Sequence, residues 1–245
     1  VTGRAGVPDD AASLFLTAVA AGASGSVFVT VFPCGITPPL ASNINYGTGD
    51  VANAVLAKIG VGGKVCVYTS AATDLVIDVN GYVPAGAATE AVVPGRVFES
   101  RSGNADLVTV DGLFEGVGRT GAGQVAEFKV TGRAGVPDDA EAVFLNVVAV
   151  GPSGSGYLAV FPCGTTPPLA SNGNYSTGDV AANMALAKID VDGNVCVYTS
   201  AATDLVIDVN GYIPAGAATK ALLPGRVFES RLGKADFITV DGLFQ

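Results

Sequence analysis

The sequence contains no histidine, no tryptophan and one methionine in 245 residues, and only 14% of its residues are charged. Without histidine, a Ser–His–Asp or Cys–His nucleophile and a histidine-ligated catalytic metal are excluded. The net charge is −9, which disfavours nucleic acid and anionic membrane surfaces as partners, because binding to phosphate requires clustered Lys and Arg. No apolar run approaches the roughly 18 residues of a membrane span. We therefore expect neither nucleic-acid binding nor membrane insertion.

The abundant residues are small, apolar or β-branched, and 33 glycines and 13 prolines interrupt them. The stretch VCVYTSAATDLVIDVNGY occurs twice without a difference, at Val65–Tyr82 and at Val195–Tyr212. Val1–Asp10 likewise recurs at Val130–Asp139. The period of roughly 130 residues has the size of a domain rather than of a solenoid rung. We refer to residues 1–115 as copy one and to residues 130–245, which align with them, as copy two.

The segment between the copies, Gly116–Lys129, occurs only once and runs on into Val130–Arg133, and QVAEFKVTG at residues 124–132 is predicted to be one strand. Because Val1 aligns with Val130, copy one starts in the middle of the equivalent strand. Two explanations follow: the sequence is a window cut from a longer array, which we favour, or a neighbouring molecule donates the strand by β-augmentation.

Short alternating or β-branched segments bounded by Gly, Pro, Asn and Asp predict an all-β fold. The predicted strands are Ser26–Phe32, Lys64–Ser70, Asp74–Tyr82, Leu107–Gly112 and Ala126–Gly132. Ala52–Ile59 could form two helical turns, but we assign it as a strand. Many short strands at this spacing favour tandem β-sandwich domains of about 130 residues each, with a β-barrel as the alternative.

The strand Asp74–Tyr82 illustrates the pattern. Leu75, Ile77 and Val79 alternate with polar Asp78 and Asn80. Because successive side chains of a strand point to opposite faces, this alternation predicts one face in the core and the other in water.

Each copy carries two cysteines, Cys34 and Cys66 in copy one and Cys163 and Cys196 in copy two. Four cysteines allow three pairings, and the repetition favours Cys34–Cys66 and Cys163–Cys196. Each disulfide would stabilise its copy by about 3.7 kcal/mol on the chain-entropy model. A metal site is the alternative, but the CxxC spacing of zinc modules is missing. Disulfides predict an oxidising, extracytoplasmic location.

Five motifs occur in order: GRVFESRSG, GVGRTGAGQVAEFKVTGRAGVP, AVFLNVVAVGPSGSGYLAVFPCG, LASNGNYSTGD and TDLVIDVNGYIP. Together they resemble a repeat found in large secreted proteins of actinobacteria, and the resemblance covers essentially the whole chain. Units of that family open with an RLLDTR-like motif, end with VDVxGYF and occur in tandem or beside other extracellular modules, with no catalytic role assigned. Here the opening motif reads VFESR at Val97–Arg101, so Glu99 replaces the aspartate.

The resemblance implies a secreted or surface-associated structural or adhesive module. In the phase of that family, residues 1–91 are a unit lacking its beginning, residues 92–219 are a complete unit, and residues 220–245 open a further unit.

Carboxylates are the remaining candidates for catalysis, since a glycosidase needs two of them about 5–10 Å apart. The candidates are Asp9, Asp10, Asp78 and Glu99, with their counterparts Asp138, Asp139, Asp208 and Glu229. Pro-Asp-Asp is typical of a turn, Asp78 lies on the face predicted to be solvated, and Glu99 is expected to pair with Arg96 or Arg101. We therefore predict no catalytic residue and no enzyme.

Asp190, Asp192 and Asn194 alternate like the start of a calcium-binding loop, but copy one reads GVGGK at Gly60–Lys64. A hairpin turn is the favoured interpretation, so we predict no metal and no cofactor. The sequon Asn174–Ser176 has Gly47 in place of its serine in copy one, and we regard it as coincidental.

Two weaker possibilities concern crosslinking and glycans. An isopeptide bond would use Lys58 or Lys188, the internally matched lysines, but no partner is identifiable. Exposed aromatics could bind glycans, although we expect the tyrosines to pack on strand faces. The matched tyrosines are Tyr46, Tyr68 and Tyr82, and Tyr175, Tyr198 and Tyr212.

The favoured hypothesis is a non-enzymatic structural module of an extracellular or cell-surface repeat protein, building a stalk or a filament. Its expected partner is itself, through neighbouring units placed end to end and possible strand exchange. The alternative is a carbohydrate-binding or adhesive module whose partners are cell-wall or environmental glycans.

Overall fold

The structure, a computed structural model, describes residues 1–103 and 107–226. Their regular structure consists of β-strands. The strands are β1 (Ala11–Pro33), β2 (Ile44–Lys58), β3 (Val65–Thr69), β4 (Asp74–Pro84), β5 (Glu90–Glu99), β6 (Gln124–Lys129), β7 (Ala140–Val150), β8 (Gly156–Phe161), β9 (Gly173–Tyr175), β10 (Val180–Lys188), β11 (Asn194–Thr199) and β12 (Asp204–Pro214). The all-β prediction is confirmed. No helix with the length and hydropathy needed to cross a bilayer occurs in the described part of the chain.

The strands of the described residues form four-stranded antiparallel sheets. Copy one supplies the order β2-β1-β3, with β4 also paired to β1. The other sheets have the orders β10-β7-β12-β5 and β6-β11-β8-β9. This antiparallel, disulfide-bonded arrangement is consistent with a β-sandwich.

The long strand β1 of copy one corresponds to two shorter strands, β7 and β8, in copy two. β1 pairs with β4 through Ala11–Ala21 and with β3 through Val29–Pro33, and its pairing with β2 shifts register after Ala20. In copy two the corresponding residues are split into β7 and β8. Pro152 of copy two stands where copy one has Ala23, and a proline, lacking an N–H, cannot continue a strand ladder.

The prediction that Ala52–Ile59 is a strand is confirmed: it lies within β2 apart from its last residue. The predicted strand Leu107–Gly112 is wrong: this stretch is irregular and ends in a turn at Gly112, whose φ is 73°. Its Thr109 and Asp111 bond to neighbours inside the loop and to Arg133 rather than to a strand. Ala126–Gly132 is a strand only up to Lys129.

Buried apolar side chains form three clusters: one within copy one, one in copy two that also takes in Val97, Phe98 and Phe128, and a third between the copies. The third cluster joins Leu56, Val83 and Ala91 of copy one to Phe144 and Ile213 of copy two. The rings of Phe15 and Phe144 lie 6.0 Å apart in a tilted arrangement, a geometry that contributes about 0.5–1.5 kcal/mol beyond burial. The two copies are therefore packed against each other through apolar contacts.

The strand β5 connects the copies covalently as well. It follows β4 in the chain but pairs with β12, so that β12 lies between β7 and β5. β11 likewise lies between β8 and β6. Among the described strands, β4 and β3 pair with β1 alone, which leaves one edge of each without a strand partner.

Candidate functional site

The sequence DLVIDVNGY has opposite environments in the two copies. In β12, Leu205 and Ile207 on one face are fully buried, and Asp208 on the other face is fully buried too. In β4, the same leucine and isoleucine, Leu75 and Ile77, are 38% and 37% exposed. The expectation of one core face and one solvated face is therefore wrong for both copies. The difference arises from neighbours, since the residues are identical.

The neighbour that covers the edge of β12 is β5. Ile207 pairs with Phe98, and Asp208 pairs with Arg96 across the ladder. β5 thereby carries the motif Pro94–Arg101 onto copy two, although that motif belongs to copy one by alignment.

The motif forms a buried ionic cluster with β12. Arg96 donates to Asp208 through Nε at 3.0 Å and to Glu99 through Nη1 at 3.3 Å. Arg101 binds both carboxylate oxygens of Glu99 at 2.8 Å, and its backbone N–H also donates to Glu99. Glu99 is fully buried. Two guanidinium groups thus balance two carboxylates, and the expected pairing of Glu99 with Arg96 or Arg101 is confirmed for both.

Asp78 is exposed, as predicted, but its counterpart Asp208 is fully buried. Its Oδ2 accepts the backbone N–H of Ser42 from copy one at 2.7 Å. Burial raises the pKa of Asp208, and the charge of Arg96 and the hydrogen bond from Ser42 oppose that rise. The hydrogen bonds of Glu99 and the nearby carboxylates raise the pKa of Arg101 against the opposing effect of its burial.

An amide surface on copy one completes the contact with copy two. It comprises Ser42, Asn43 and Asn53, which we call the amide patch. Asn43 donates to Asn210 at 3.2 Å, and Asn53 donates to Asn146 at 3.0 Å. All four of these asparagines are buried. Sequence reasoning missed the amide patch, because these residues read as ordinary loop and strand positions.

A second charged contact lies where Leu107–Glu115 folds over copy two. Arg133 bonds both oxygens of Asp111, at 2.6 and 2.7 Å, and its guanidinium lies 5.1 Å from the centre of the Phe114 ring. The hydrogen bond from Arg133 lowers the pKa of Asp111 to about 2. In copy one the corresponding Arg4 is exposed.

Next to Arg4 lies an open cavity of about 540 Å³. It is lined by Val1, Arg4, Ala5, Ile77, Asp78 and Val79. In copy two, Arg133, the counterpart of Arg4, bonds Asp111 instead, and Ala134, the counterpart of Ala5, lies beside Gly95 of β5, as Val110 does. The cavity therefore occupies, on copy one, the place that the Leu107–Glu115 segment fills on copy two.

The other candidate carboxylates do not form a site. Asp9, Asp10, Asp138 and Asp139 are exposed. They lie in turns closed by backbone bonds from Ala11 to Pro8 and from Ala140 to Pro137. Glu229 lies outside the described residues.

Both predicted disulfides are present, Cys34–Cys66 and Cys163–Cys196. The side chain of Glu127 lies close to the second pair, but the two sulfurs are bonded to each other and offer no thiolate to a metal. Two disulfides indicate a non-reducing, extracellular environment.

The aspartate-rich turn of copy two organises its own backbone. Oδ1 of Asp190 accepts the N–H groups of Asp192 and Asn194, at 2.9 and 2.7 Å. The tight turn is as expected, but it joins β10 to β11, which belong to different sheets, rather than forming a hairpin.

Lys58 and Lys188 are exposed, at the ends of β2 and β10. Tyr46 and Tyr175 are core residues at 2% and 6% exposure, as the packing interpretation predicts, and Tyr175 bonds Thr199 at 2.6 Å. The remaining matched tyrosines are partly exposed: Tyr68, Tyr82, Tyr198 and Tyr212.

The counterparts of the amide patch, Ser171, Asn172 and Asn183, line a cavity of about 320 Å³ together with Asn174 and Tyr175. This surface of copy two is therefore polar and accessible, whereas the matching surface of copy one is packed on Asp208, Asn210 and Asn146.

No protein-family model, no curated protein and no solved structure matches this chain.

Proposed function

We propose that this chain is a non-enzymatic structural module of a secreted or surface-attached repeat protein, whose units join end to end into a stalk or an extracellular filament. One observation carries the proposal: identical strands are buried in β12 and exposed in β4, and they differ in whether a β5-type strand lies beside them. A unit that needs a strand from its neighbour is suited to linear assembly.

The same pairing supports the proposed unit boundaries. β5 and β6 pair with β12 and β11, so the strands between residues 92 and 219 complete one another. Residues 92–219 would then form one unit, and residues 1–91 and 220–245 would belong to the units on either side of it.

The non-enzymatic assignment rests on how the carboxylates are used. Glu99 and Asp208 are fully buried and bonded to Arg96, and Glu99 also to Arg101. Groups held in this way serve to pair strands, and removing one partner would destabilise the joint because it leaves an uncompensated buried charge.

Assembly is the test of this proposal. The oxidised protein should form linear multimers whose mass rises with concentration, measured by light scattering and by negative-stain electron microscopy. A protein that stays monomeric up to about 1 mM contradicts the proposal, since a module with an open sheet edge is expected to associate.

A carbohydrate-binding or adhesive module is the second candidate. The cavity bounded by Ser171, Asn172, Asn174 and Tyr175 favours it, because amides, hydroxyls and an aromatic ring are the groups that fix polar ligands in pockets. A glycan array with the intact chain, and with Asn174→Ala as the comparison, tests it. Absence of binding in both proteins leaves only the structural assignment.

A further inference from the structure

The joint between the two copies shows what covers a β12-type strand. Two parts of copy one contact copy two there, one on the strand itself and one on the neighbouring Arg133. The motif Pro94–Arg101 pairs with the strand and places Arg96 on Asp208. The segment Thr109–Phe114 follows it and places Asp111 and Phe114 on Arg133.

The surface that receives them is present again on copy one. β4 has the sequence of β12 from Asp74 to Tyr82, and Val1–Asp10 has the sequence of Val130–Asp139. Asp78 and Arg4 therefore stand where Asp208 and Arg133 stand in copy two, and both are exposed beside the cavity of about 540 Å³.

The segment that would fill it is also present again, after β12. PGRVFESR occurs at Pro94–Arg101 and at Pro224–Arg231, and TVDGLF occurs at Thr109–Phe114 and at Thr239–Phe244. The chain thus carries both halves of the joint a second time.

We infer that the open side of copy one, formed by β4, Arg4 and Ala5, is a docking groove for the segment Pro224–Phe244 of a second copy of this chain. The inference rests on the end-to-end assembly proposed above and specifies the segment that makes the joint. By the register of β5 on β12, Asp78 pairs with Arg226 and Ile77 pairs with Phe228.

Charge complementarity supports this occupant. The incoming Arg226 meets Asp78, which repeats the contact of Arg96 with Asp208 at 3.0 Å. The incoming Asp241 meets Arg4, which repeats the contact of Asp111 with Arg133 at 2.6 Å. In the described chain Arg226 donates to the carbonyl of Leu169, a bond that docking would exchange for a buried ion pair.

The accessible amide surface of copy two supports the same direction of assembly. In the observed joint, the copy that supplies β5 also supplies Ser42, Asn43 and Asn53 to its neighbour. The copy that supplies Pro224–Phe244 carries Ser171, Asn172 and Asn183 at the equivalent positions, and they line an open cavity. Their expected partners on the next molecule are Asp78, Asn80 and Thr17.

The resulting interface is heterologous, because the donor and acceptor surfaces are different parts of the molecule. Such interfaces continue into filaments unless the rotation between subunits closes a ring. The sequence of β6 occurs once, so the docked segment completes the sheet of β4, while the outer edge of β3 receives no strand from it.

Charge reversal on the full-length chain tests the inference. Arg4→Asp reverses the charge in the groove, and Asp241→Arg reverses the charge on the docking segment. Asp192→Arg, on an exposed turn outside the joint, is the matched control. Circular dichroism establishes that each variant is folded, and analytical ultracentrifugation over a concentration series gives the midpoint of assembly.

Each of the first two variants should raise the assembly midpoint by at least about tenfold, because a charge buried against a like charge costs several times thermal energy. An equimolar mixture of the two should assemble like wild type, since every junction between unlike chains then pairs opposite charges. The control should assemble like wild type.

Two outcomes overturn the inference and they are distinguishable. If wild type assembles but the two variants assemble equally well, or their mixture is not rescued, another surface makes the joint and the structural function stands. If wild type never assembles, including the case in which the segment docks on its own chain, the inference and the proposed end-to-end function both fail.

Discussion

The same isoleucine substitution should have very different consequences in the two copies. Ile207 and Ile77 occupy the same position of the same sequence, but Ile207 is fully buried and Ile77 is 37% exposed. Replacing Ile207 by alanine should cost about 2–5 kcal/mol, the usual range for a buried branched side chain. Replacing Ile77 should cost about 1 kcal/mol, because part of its surface is already in water and the strand edge can relax.

The assay is urea denaturation followed by far-ultraviolet circular dichroism, at a protein concentration low enough to keep the chain monomeric. Leu16→Ala and Leu145→Ala form the matched control, because these equivalent leucines are buried in both copies, at 1% and 0% exposure. The control pair should show similar costs.

Equal costs for Ile77→Ala and Ile207→Ala in the monomer would refute the reasoning, since they would mean that β4 is covered as β12 is. Hydrogen exchange provides an independent measurement. Peptides that extend to Val83 and Ile213 distinguish the otherwise identical strands by mass, and the β4 peptide should exchange faster.

Two further predictions concern the disulfide and the charged loop of copy two. Cys163→Ser combined with Cys196→Ser should lower the free energy of unfolding by about 3.7 kcal/mol, by the chain-entropy estimate for a 33-residue separation; a change below about 1 kcal/mol in calorimetry or denaturation contradicts it. Asp111 has a pKa of about 2, below its unfolded value of about 3.9, so its contribution is present above pH 4 and is lost as the pH falls towards 2. Asp111→Asn should therefore destabilise the protein at pH 6 and converge with wild type near pH 2, and parallel stability curves would contradict this.

Most strands could be predicted from local pattern. Alternating β-branched segments bounded by Gly-rich turns favour strands wherever they occur. For Ala52–Ile59 the sequence allowed a helix or a strand, and pairing with β1 makes it a strand. The cysteine pairing followed from repetition alone. The contacts of Glu99 with Arg96 and Arg101 were predictable because these residues are close in sequence.

The failures share a cause. Leu107–Gly112 has a strand-like pattern but forms no strand: the N–H of Val110 makes a single bond to the carbonyl of Arg96, and Asp111 is held by Arg133. Asp208 reads as a solvated residue on an alternating strand, yet Ser42 and Arg96 enclose it from segments over 100 residues away. Partners this distant leave no periodic signal around the residue that they bury.

The duplicated strand DLVIDVNGY separates what the local sequence determines from what the tertiary structure determines. Its extended conformation, its turns and the position of its cysteine follow from residues close together in the chain, and they are alike in both copies. Its environment does not follow from them: Leu205 is fully buried and Leu75 is 38% exposed although every residue from Val65 to Tyr82 is repeated. Only tertiary pairing decides this, because burial of a strand depends on which other strand completes its hydrogen-bonding edge and covers its face.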